Sequence, residues 1–326
     1  MRILVTGGAG FIGSNLIDRL VKNNKVSVID DLSSGYTRNI NKKAKLYKFD
    51  LRNYKKTKEA IKEIKPEVIY HLATNAAESK SQFCPYDICT RNYVTSLTLL
   101  SNSINKGLKK FIYTSSEAVY GKELDRPFKE TDTPIPVDLY GASKLATEKA
   151  ILLLSQVHKF EYVIVRPHNI YGVRQDMADP YRNAVTIFMN QVLKNQPYYI
   201  YGDGEQRRQF TFVDDVADAL VNSIDAKDGI YNLGSDTSYS VNQLSDLVMS
   251  ISGFDKKPVY LPARVNEVQI CEADNTLARK YLKYKDTISF DEGVKRTWEY
   301  CKKLGPQKLR TSSFEIMSPL IPKNWL

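Results

Sequence analysis

The chain has 326 residues, of which 42% are hydrophobic and 26% charged. This length can bury a large core, either as two domains or as one domain with an appended lobe. No apolar run approaches the roughly 18 residues that span a bilayer, and Met1–Val5 leads straight into glycines instead of a signal peptide. We therefore expect an unexported, cytoplasmic protein without a membrane partner.

The formal net charge of +10 raises the possibility of nucleic-acid binding. The lysines, however, are spread as short pairs such as Lys42-Lys43 and Lys256-Lys257, with no dominant basic tract. We expect a solvated lysine-rich surface and no nucleic-acid partner, although a polyanionic small substrate would gain from the positive field. The four cysteines show no Cys-x-x-Cys spacing, so reduced thiols are expected and no metal site is predicted.

The first 21 residues predict a strand, a glycine turn and a helix. Residues 2–5 are mostly apolar, Gly7, Gly10 and Gly13 follow, and an amphipathic pattern then runs to Val21. Such a turn lets a pyrophosphate approach the backbone at the N-terminus of the helix. By itself it also fits a tight turn that binds nothing.

The second predicted strand, 26–30, ends in Asp30 and Asp31. An acid about 20 residues beyond the glycines can accept hydrogen bonds from an adenosine ribose, and it would repel a 2′-phosphate. The two features together predict NAD as the cofactor, in preference to NADP.

Further strands are predicted at 45–50, 67–73, 110–116 and 162–167, with helices at 53–65 and near 91–106 between them. This alternation predicts an α/β fold with a doubly wound parallel sheet. The fifth strand ends in hydroxyl groups, where such a sheet presents its ligand crevice.

Tyr140 and Lys144 lie four positions apart on a predicted helix and so project from one face. An ammonium beside a phenol favours the phenolate, which would lower the phenol pKa from about 10 towards that of a catalytic base. Taken alone, the pair is also common on ordinary surfaces.

After Gly172 the regular alternation ends. Helices are predicted near 183–195, 214–224 and 242–252, the last capped by Ser240, and 229–234 is expected to return to the sheet. We predict an NAD-binding domain at 1–172 with return segments near 210–235, and a substrate lobe at 173–326. The tail after Leu304 has no assignment.

The chain resembles the extended short-chain dehydrogenase/reductases that act on nucleotide sugars, most of all the UDP-hexose 4-epimerases. The resemblance runs from residue 1 to about 300 and is carried by these segments: 6–13, Asp30, 114–121 (Thr-Ser-Ser-Glu-Ala-Val-Tyr-Gly), Tyr140 with Lys144, 166–172 (Arg-Pro-His-Asn-Ile-Tyr-Gly) and 202–215. It implies a Rossmann domain with a smaller C-terminal substrate-binding lobe, NAD as cofactor, a nucleotide-diphosphate sugar as substrate, and a homodimer built on the helices near 91–106 and 143–156.

The resemblance also implies roles for single residues. Tyr140 would be the base, Lys144 its partner, and Ser116 or Ser115 the assisting hydroxyl. The implied cofactor residues are Gly7, Gly10, Phe11, Ile12, Gly13, Asp30, Asp50, Leu51, Asn92, Tyr140 and Lys144. The implied substrate residues are Ser116, Asn169, Arg208, Arg264, Glu267 and Cys271, where a small Cys271 would leave room at C2 of the sugar.

Two residues bear on the choice within this family. Similar dehydratases carry an Asp-Glu pair before Val-Tyr-Gly, whereas this chain has Glu117 and Ala118 and so lacks the usual base for elimination. Epimerisation at C4 through a 4-keto intermediate is therefore expected. The alternatives are a 4,6-dehydratase or a 4-dehydrogenase/reductase on the same scaffold and, from a different class, a non-catalytic NAD-binding sensor.

Overall fold

The centre of the protein is a seven-stranded parallel sheet, seen in a computed structural model that describes residues 1–121, 124, 126–181, 183–264, 268–311, 313–322 and 325. The strand order is β11-β6-β5-β4-β1-β2-β3. The bounds are β1 Arg2–Thr6, β2 Lys25–Asp30, β3 Lys45–Lys48, β4 Val68–His71, β5 Lys110–Thr114, β6 Glu161–Pro167 and β11 Gly229–Leu233. The predicted doubly wound α/β fold is confirmed, and 229–233 does join the sheet.

The order of the strands reverses between β1 and β4. From β1 the chain builds outward through β2 and β3, and then returns to the other side of β1 with β4, β5 and β6. In open parallel sheets, ligands bind at such a switch point, beyond the carboxyl ends of the strands. The glycine turn after β1 lies at this position.

Helices cover both faces of the sheet because its strands are apolar on both sides. On one face Leu16, Leu20 and Leu220 are buried against the strands, and on the other Leu99 and Ile151 are buried. The helices of this layered part are α1 Phe11–Leu20, α2 Tyr54–Ile64, α3 Pro85–Cys89, α4 Thr95–Ser103, α5 Leu139–His158, α7 Val213–Asn222 and α9 Thr276–Leu282.

The helix predicted near 91–106 begins earlier and is irregular. A π-helical turn, Thr90–Val94, joins α3 to α4. It directs Asn92 inward, where its amide oxygen accepts hydrogen bonds from the Thr74 hydroxyl at 2.9 Å and from the Asn75 amide at 2.8 Å. A loop anchor of this kind is a common use of π-turns near functional sites.

Among the described residues, the remaining elements form a smaller lobe on three short sheets. Its strands are β7 Ile170–Tyr171, β8 Tyr199–Tyr201, β9 Arg207–Arg208, β10 Thr211–Phe212, β12 Tyr239–Ser240, β13 Val259–Leu261 and β14 Ile270–Cys271, and its helices are α6 Ala184–Leu193, α8 Val241–Ser252 and α10 Phe290–Leu304. Ser240 caps α8 through a full capping box, as predicted. Helix α10 was not predicted.

The segment after Leu304 returns across the molecule and contacts both halves. Arg310 donates from Nη1 to the Ser33 carbonyl at 2.8 Å, beside the sheet, and from its backbone N–H to the Ala178 carbonyl at 2.8 Å, in the lobe. Glu315 accepts the Tyr86 and Asp87 amides at the start of α3. In the described part of the chain, no helix is long and apolar enough to cross a membrane.

Candidate active site

One large cleft of about 1680 Å³ lies beyond the carboxyl ends of β1, β2, β4 and β5 and runs under the lobe. The predicted site residues that line it are Gly7, Gly10, Phe11, Ile12, Gly13, Asp30, Asp50, Leu51, Ser115, Ser116, Tyr140, Lys144, Asn169, Arg208, Arg264 and Cys271. Asn92 is 1% exposed behind the wall and holds the 74–75 loop and the Ser143 hydroxyl. Glu267 lies outside the described residues.

The glycine turn has no room for side chains. Gly7 has a φ of +70°, and a Cβ there would lie 2.7 Å from the Ala73 nitrogen. A Cβ on Gly13 would overlap the Gly7 carbonyl oxygen. The glycines pack the turn tightly and line the cleft at the start of α1, where backbone N–H groups can bind the pyrophosphate of a dinucleotide.

Asp30 stands at the end of β2, 8% exposed, next to this turn. Its carboxylate accepts the Ala9 amide at 2.9 Å and the Leu32 amide at 2.8 Å, so its orientation is held by backbone on both sides. Burial raises its pKa. The neighbouring Asp31 pairs with Arg91 at 2.7 Å. A fixed carboxylate here fits the ribose of NAD and opposes a 2′-phosphate.

Asp50 and Leu51 form the next part of the wall. Asp50 accepts Arg52 Nη2 at 2.6 Å, and Leu51 is 5% exposed. This pair closes the edge of the cleft beyond β3. Both residues line the cleft, where they could contact the adenosine end of a dinucleotide.

Tyr140 and Lys144 lie on the first two turns of α5, and both are buried. Lys144 Nζ donates to the Thr114 carbonyl at 2.8 Å and lies 5.7 Å from the centre of the Tyr140 ring. Burial lowers the pKa of Lys144 to about 7. Burial, followed by the charge of Glu117, raises the pKa of Tyr140. From the sequence we expected Lys144 to lower the pKa of the Tyr140 phenol. For the polypeptide without a cofactor, this expectation was wrong.

Of the two candidate serines, only Ser116 faces Tyr140. The Ser116 side chain lies beside the phenol, and its hydroxyl donates to Glu117 Oε2 at 3.1 Å. The Ser115 hydroxyl instead donates to Glu148 at 2.5 Å. Glu148 also binds Arg166 through both oxygens, at 2.9 and 2.6 Å, in a fully buried pair. Ser115 therefore belongs to the support behind the site.

Sequence reasoning missed two carboxylates beside Tyr140. Asp138 is the N-cap of α5, where its Oδ1 accepts the Gly141 amide at 2.7 Å. Glu78, on a 3₁₀ turn after β4, lines the same cleft near Asp138. The side chain of Glu78 is exposed to solvent within the cleft. The surrounding protein atoms remove part of its hydration, and together with the charges of Asp138 and Glu117 this raises the pKa of Glu78 to about 8. An acid before a helix can be recognised as a cap, but nothing in the sequence joins it to Glu78.

The far end of the cleft is basic and lies on the lobe. Arg208 of β9 pairs directly across the sheet with Cys271 of β14. Cys271 is 7% exposed, with its Sγ 3.7 Å from His168 Nδ1. Arg264 is exposed, and its guanidinium stacks 4.0 Å from the centre of the Tyr201 ring. Two arginines on one wall can bind a diphosphate through paired hydrogen bonds.

Comparisons with known proteins agree with this geometry. Residues 3–234 match the sequence model of a family described as the NAD dependent epimerase/dehydratase family. The UDP-glucose 4-epimerase of Mycolicibacterium smegmatis is 34% identical, with 92% of this chain and 98% of that protein covered.

Solved structures are similar along almost their whole length. A UDP-glucose 4-epimerase from Thermotoga maritima with UDP-glucose superimposes with a TM-score of 0.90 and 36% identity, covering 93% of this chain and 99% of that one. A UDP-glucuronic acid 4-epimerase from Bacillus cereus, in complex with UDP-glucuronic acid and NAD, gives 0.85 and 29%, covering 93% and 100%.

Proposed function

Because this chain belongs to the NAD-dependent epimerase/dehydratase family, we propose that it is an enzyme that inverts C4 of a UDP-linked hexose with NAD as its cofactor. The observation that carries the proposal is that Ser116, Tyr140 and Lys144 line the same cleft as the glycine turn and the two arginines. The relatives named above act on or bind UDP-sugars, which supports UDP as the nucleotide.

Different residues along the cleft would bind the cofactor and the substrate. Gly7, Gly13 and Asp30 would hold the dinucleotide, while Arg208 and Arg264 would hold the diphosphate of the sugar. NAD supplies the acceptor for the hydride from C4 and, in its oxidised form, a positive charge that favours the Tyr140 phenolate.

Tyr140 would take the proton of the 4-hydroxyl as the C4–H bond breaks, leaving a 4-keto sugar, and Ser116 would hold the same oxygen. The keto sugar then turns over in the cleft. Tyr140 would return the proton to the oxygen when C4 is reduced from its other face. Because C4 would be oxidised and then reduced, the overall reaction would release no NADH.

Ala118 supports epimerisation over elimination. Its side chain is a methyl group, so it cannot remove the C5 proton as a glutamate in that position would. Glu117 is present but accepts hydrogen bonds from Ser116 Oγ and, at 3.4 Å, from Asn169 Nδ2. The second candidate, a 4,6-dehydratase, would lack the glutamate that similar dehydratases carry at the position of Ala118.

The test is to incubate the purified protein with UDP-, GDP- and dTDP-hexoses, to resolve the products by NMR, and to identify the coenzyme released on denaturation. We expect interconversion of the C4 epimers, bound NAD and no accumulating NADH. A 4-keto-6-deoxy product would establish the dehydratase. A requirement for added coenzyme in stoichiometric amount would establish a dehydrogenase.

We also propose a cytoplasmic homodimer that acts in carbohydrate metabolism. Its dimer contact would use the outer faces of α4 and α5 and the turn that leads into α4, where Val94, Leu153 and Val157 are 41%, 65% and 72% exposed. The four free cysteines are in keeping with a reducing compartment. Light scattering should give a dimer for the native protein and for Met317→Asp, whose side chain is exposed in the tail, and a monomer for Leu153→Asp.

A further inference from the structure

We propose that Trp325, in the segment after Leu304, forms a wall of the cleft that contacts the sugar and retains it while the 4-keto intermediate turns over. This inference rests on the proposed function, because it concerns the sugar whose 4-hydroxyl Tyr140 and Ser116 would hold. It gives a role in the reaction to a segment that the resemblance to known relatives, which ends at about residue 300, does not cover.

Hydrogen bonds fix the backbone of this segment along one side of the cleft. The amides of Glu315 and Ile316 both donate to the Phe83 carbonyl at 3.0 Å. Cys84 Sγ donates to the Ser313 carbonyl at 3.5 Å. Phe83 itself lines the cleft. The segment is therefore held against a part of the chain that belongs to the wall of the site.

From this anchored backbone, Trp325 reaches the apolar side of the site. Its ring meets the Tyr181 ring edge to face, with the ring centroids 4.9 Å apart and the planes at 90°. Both residues line the cleft. Trp325 also packs, together with Phe314, against a buried cluster formed by Tyr140, Tyr181, Ala77, Cys84 and Ile88. The indole thus lies in the apolar surroundings of the proposed base.

The segment lines the cleft without filling it. With the segment in place the cleft measures about 1680 Å³, whereas a site for one drug-sized ligand takes roughly 300–1,000 Å³. Room for both a dinucleotide and a nucleotide sugar therefore remains. Two further apolar side chains of the segment, Ile316 and Leu320, line the cleft and are 48% and 69% exposed. Exposed apolar surface at the border of a cleft is suited to a ligand that covers it.

Turnover of the sugar gives such a wall its purpose. Inversion requires the 4-keto sugar to leave its hydrogen bonds with Tyr140 and Ser116 and to present its other face. During this step the arginines would hold the diphosphate, and the sugar ring needs a surface that does not fix one orientation. The C–H groups on either face of a hexose can pack on an indole through dispersion contacts, which have little directional preference. Escape of the keto sugar at this stage would leave the hydride from C4 on the cofactor and end the cycle.

The experiment compares the wild-type protein with Trp325→Ala, first in binding. Loss of an aromatic contact should raise the Kd for UDP-glucose by roughly threefold to tenfold. The Kd for UDP should stay unchanged, because the two arginines that would bind the diphosphate are kept. This difference separates a contact with the sugar from general damage to the cleft, which would weaken the binding of both ligands.

The second readout is the fate of the intermediate. During turnover of UDP-glucose, Trp325→Ala should release 4-keto sugar, detected by NMR, and should accumulate bound NADH, detected by absorbance. Trp325→Phe keeps an aromatic ring and should restore most of the wild-type behaviour. The matched control is Met317→Ala, which changes a side chain of the same segment that is 70% exposed, and it should behave like the wild type.

An unchanged Kd for UDP-glucose in Trp325→Ala, or an equal loss of affinity for UDP, would overturn this inference. Faster turnover in Trp325→Ala would also overturn it, because the indole would then obstruct the sugar. These results would leave the epimerase assignment standing. Failure of the wild-type protein to epimerise any UDP-hexose would overturn the proposed function, and the inference with it.

Discussion

At the scale of single residues, the proposed chemistry depends on one phenol. In Tyr140→Phe the oxygen that would move the proton is lost, while the ring and its packing stay. We expect kcat to fall by about a thousandfold or more, within the range that proton transfer contributes to catalysis. NAD should still be present in the purified variant. Activity close to wild type would contradict the assignment of Tyr140 as the base.

His71 leads to a prediction about acid stability. It is 1% exposed, between the hydroxyls of Thr6 at 2.7 Å and Ser96 at 2.8 Å, and burial lowers its pKa to about 3. Below about pH 6.5, His71 binds a proton in the unfolded chain but stays neutral in the folded protein. Stability is therefore lost as the pH falls from about 6.5 towards 3.

The measurement is the free energy of unfolding against pH for wild type and His71→Asn. The wild-type slope should be steeper by up to about 1.4 kcal/mol per pH unit in this range. The carboxylates titrate alike in both proteins, so the difference isolates the histidine. Parallel curves would show that His71 is protonated equally in the folded and unfolded states.

At the scale of elements, the backbone of the β1–α1 turn is packed so tightly that it leaves no space for a side chain at Gly7 or Gly13. Gly13→Ala would push a methyl group against the Gly7 carbonyl, so the turn must shift and the bound pyrophosphate with it. We expect the protein to fold but to lose bound NAD on purification. The matched control is Gly107→Ala, which has open space and a φ of +88° and should cost about 1–2 kcal/mol without affecting NAD. Retention of NAD in Gly13→Ala would contradict this role of the turn.

At the scale of the whole molecule, the segment after Leu304 ties the two halves together across the cleft. Its contacts run from Ser33 and Asp87, beside the sheet, to Ala178 and Asn190, in the lobe. Deletion of 305–326 should let the halves separate more often. With each lost hydrogen bond worth about 1 kcal/mol, we expect NAD to dissociate roughly tenfold faster or more.

The release of NAD can be followed by dilution and fluorescence. Arg310→Ala, which removes the contacts of that side chain with Ser33 and Asp176, should give an intermediate rate. An unchanged rate in the deletion variant would show that the segment has no influence on the cofactor.

Much of this protein follows from local pattern. The apolar strands, the glycines after β1, Asp30 at the end of β2, and the spacing of Tyr140 and Lys144 can each be read within a few residues. Alternation of strands and helices leaves few topologies open. These signals are strong because backbone geometry and side-chain periodicity act over one element at a time.

The tertiary structure decided what depends on distance and burial. Asn92 points inward because it lies on a π-helical turn. Ser115 points away from Tyr140 because its hydroxyl donates to Glu148 of a buried ion pair. The phenol of Tyr140 became harder to ionise because it is buried and because the charges of Glu117, Glu78 and Asp138 add to the effect of burial. A pKa depends on the summed field and on the solvent that packing removes. Sequence spacing therefore identified the pair of Tyr140 and Lys144, but only the folded chain set the charge around it.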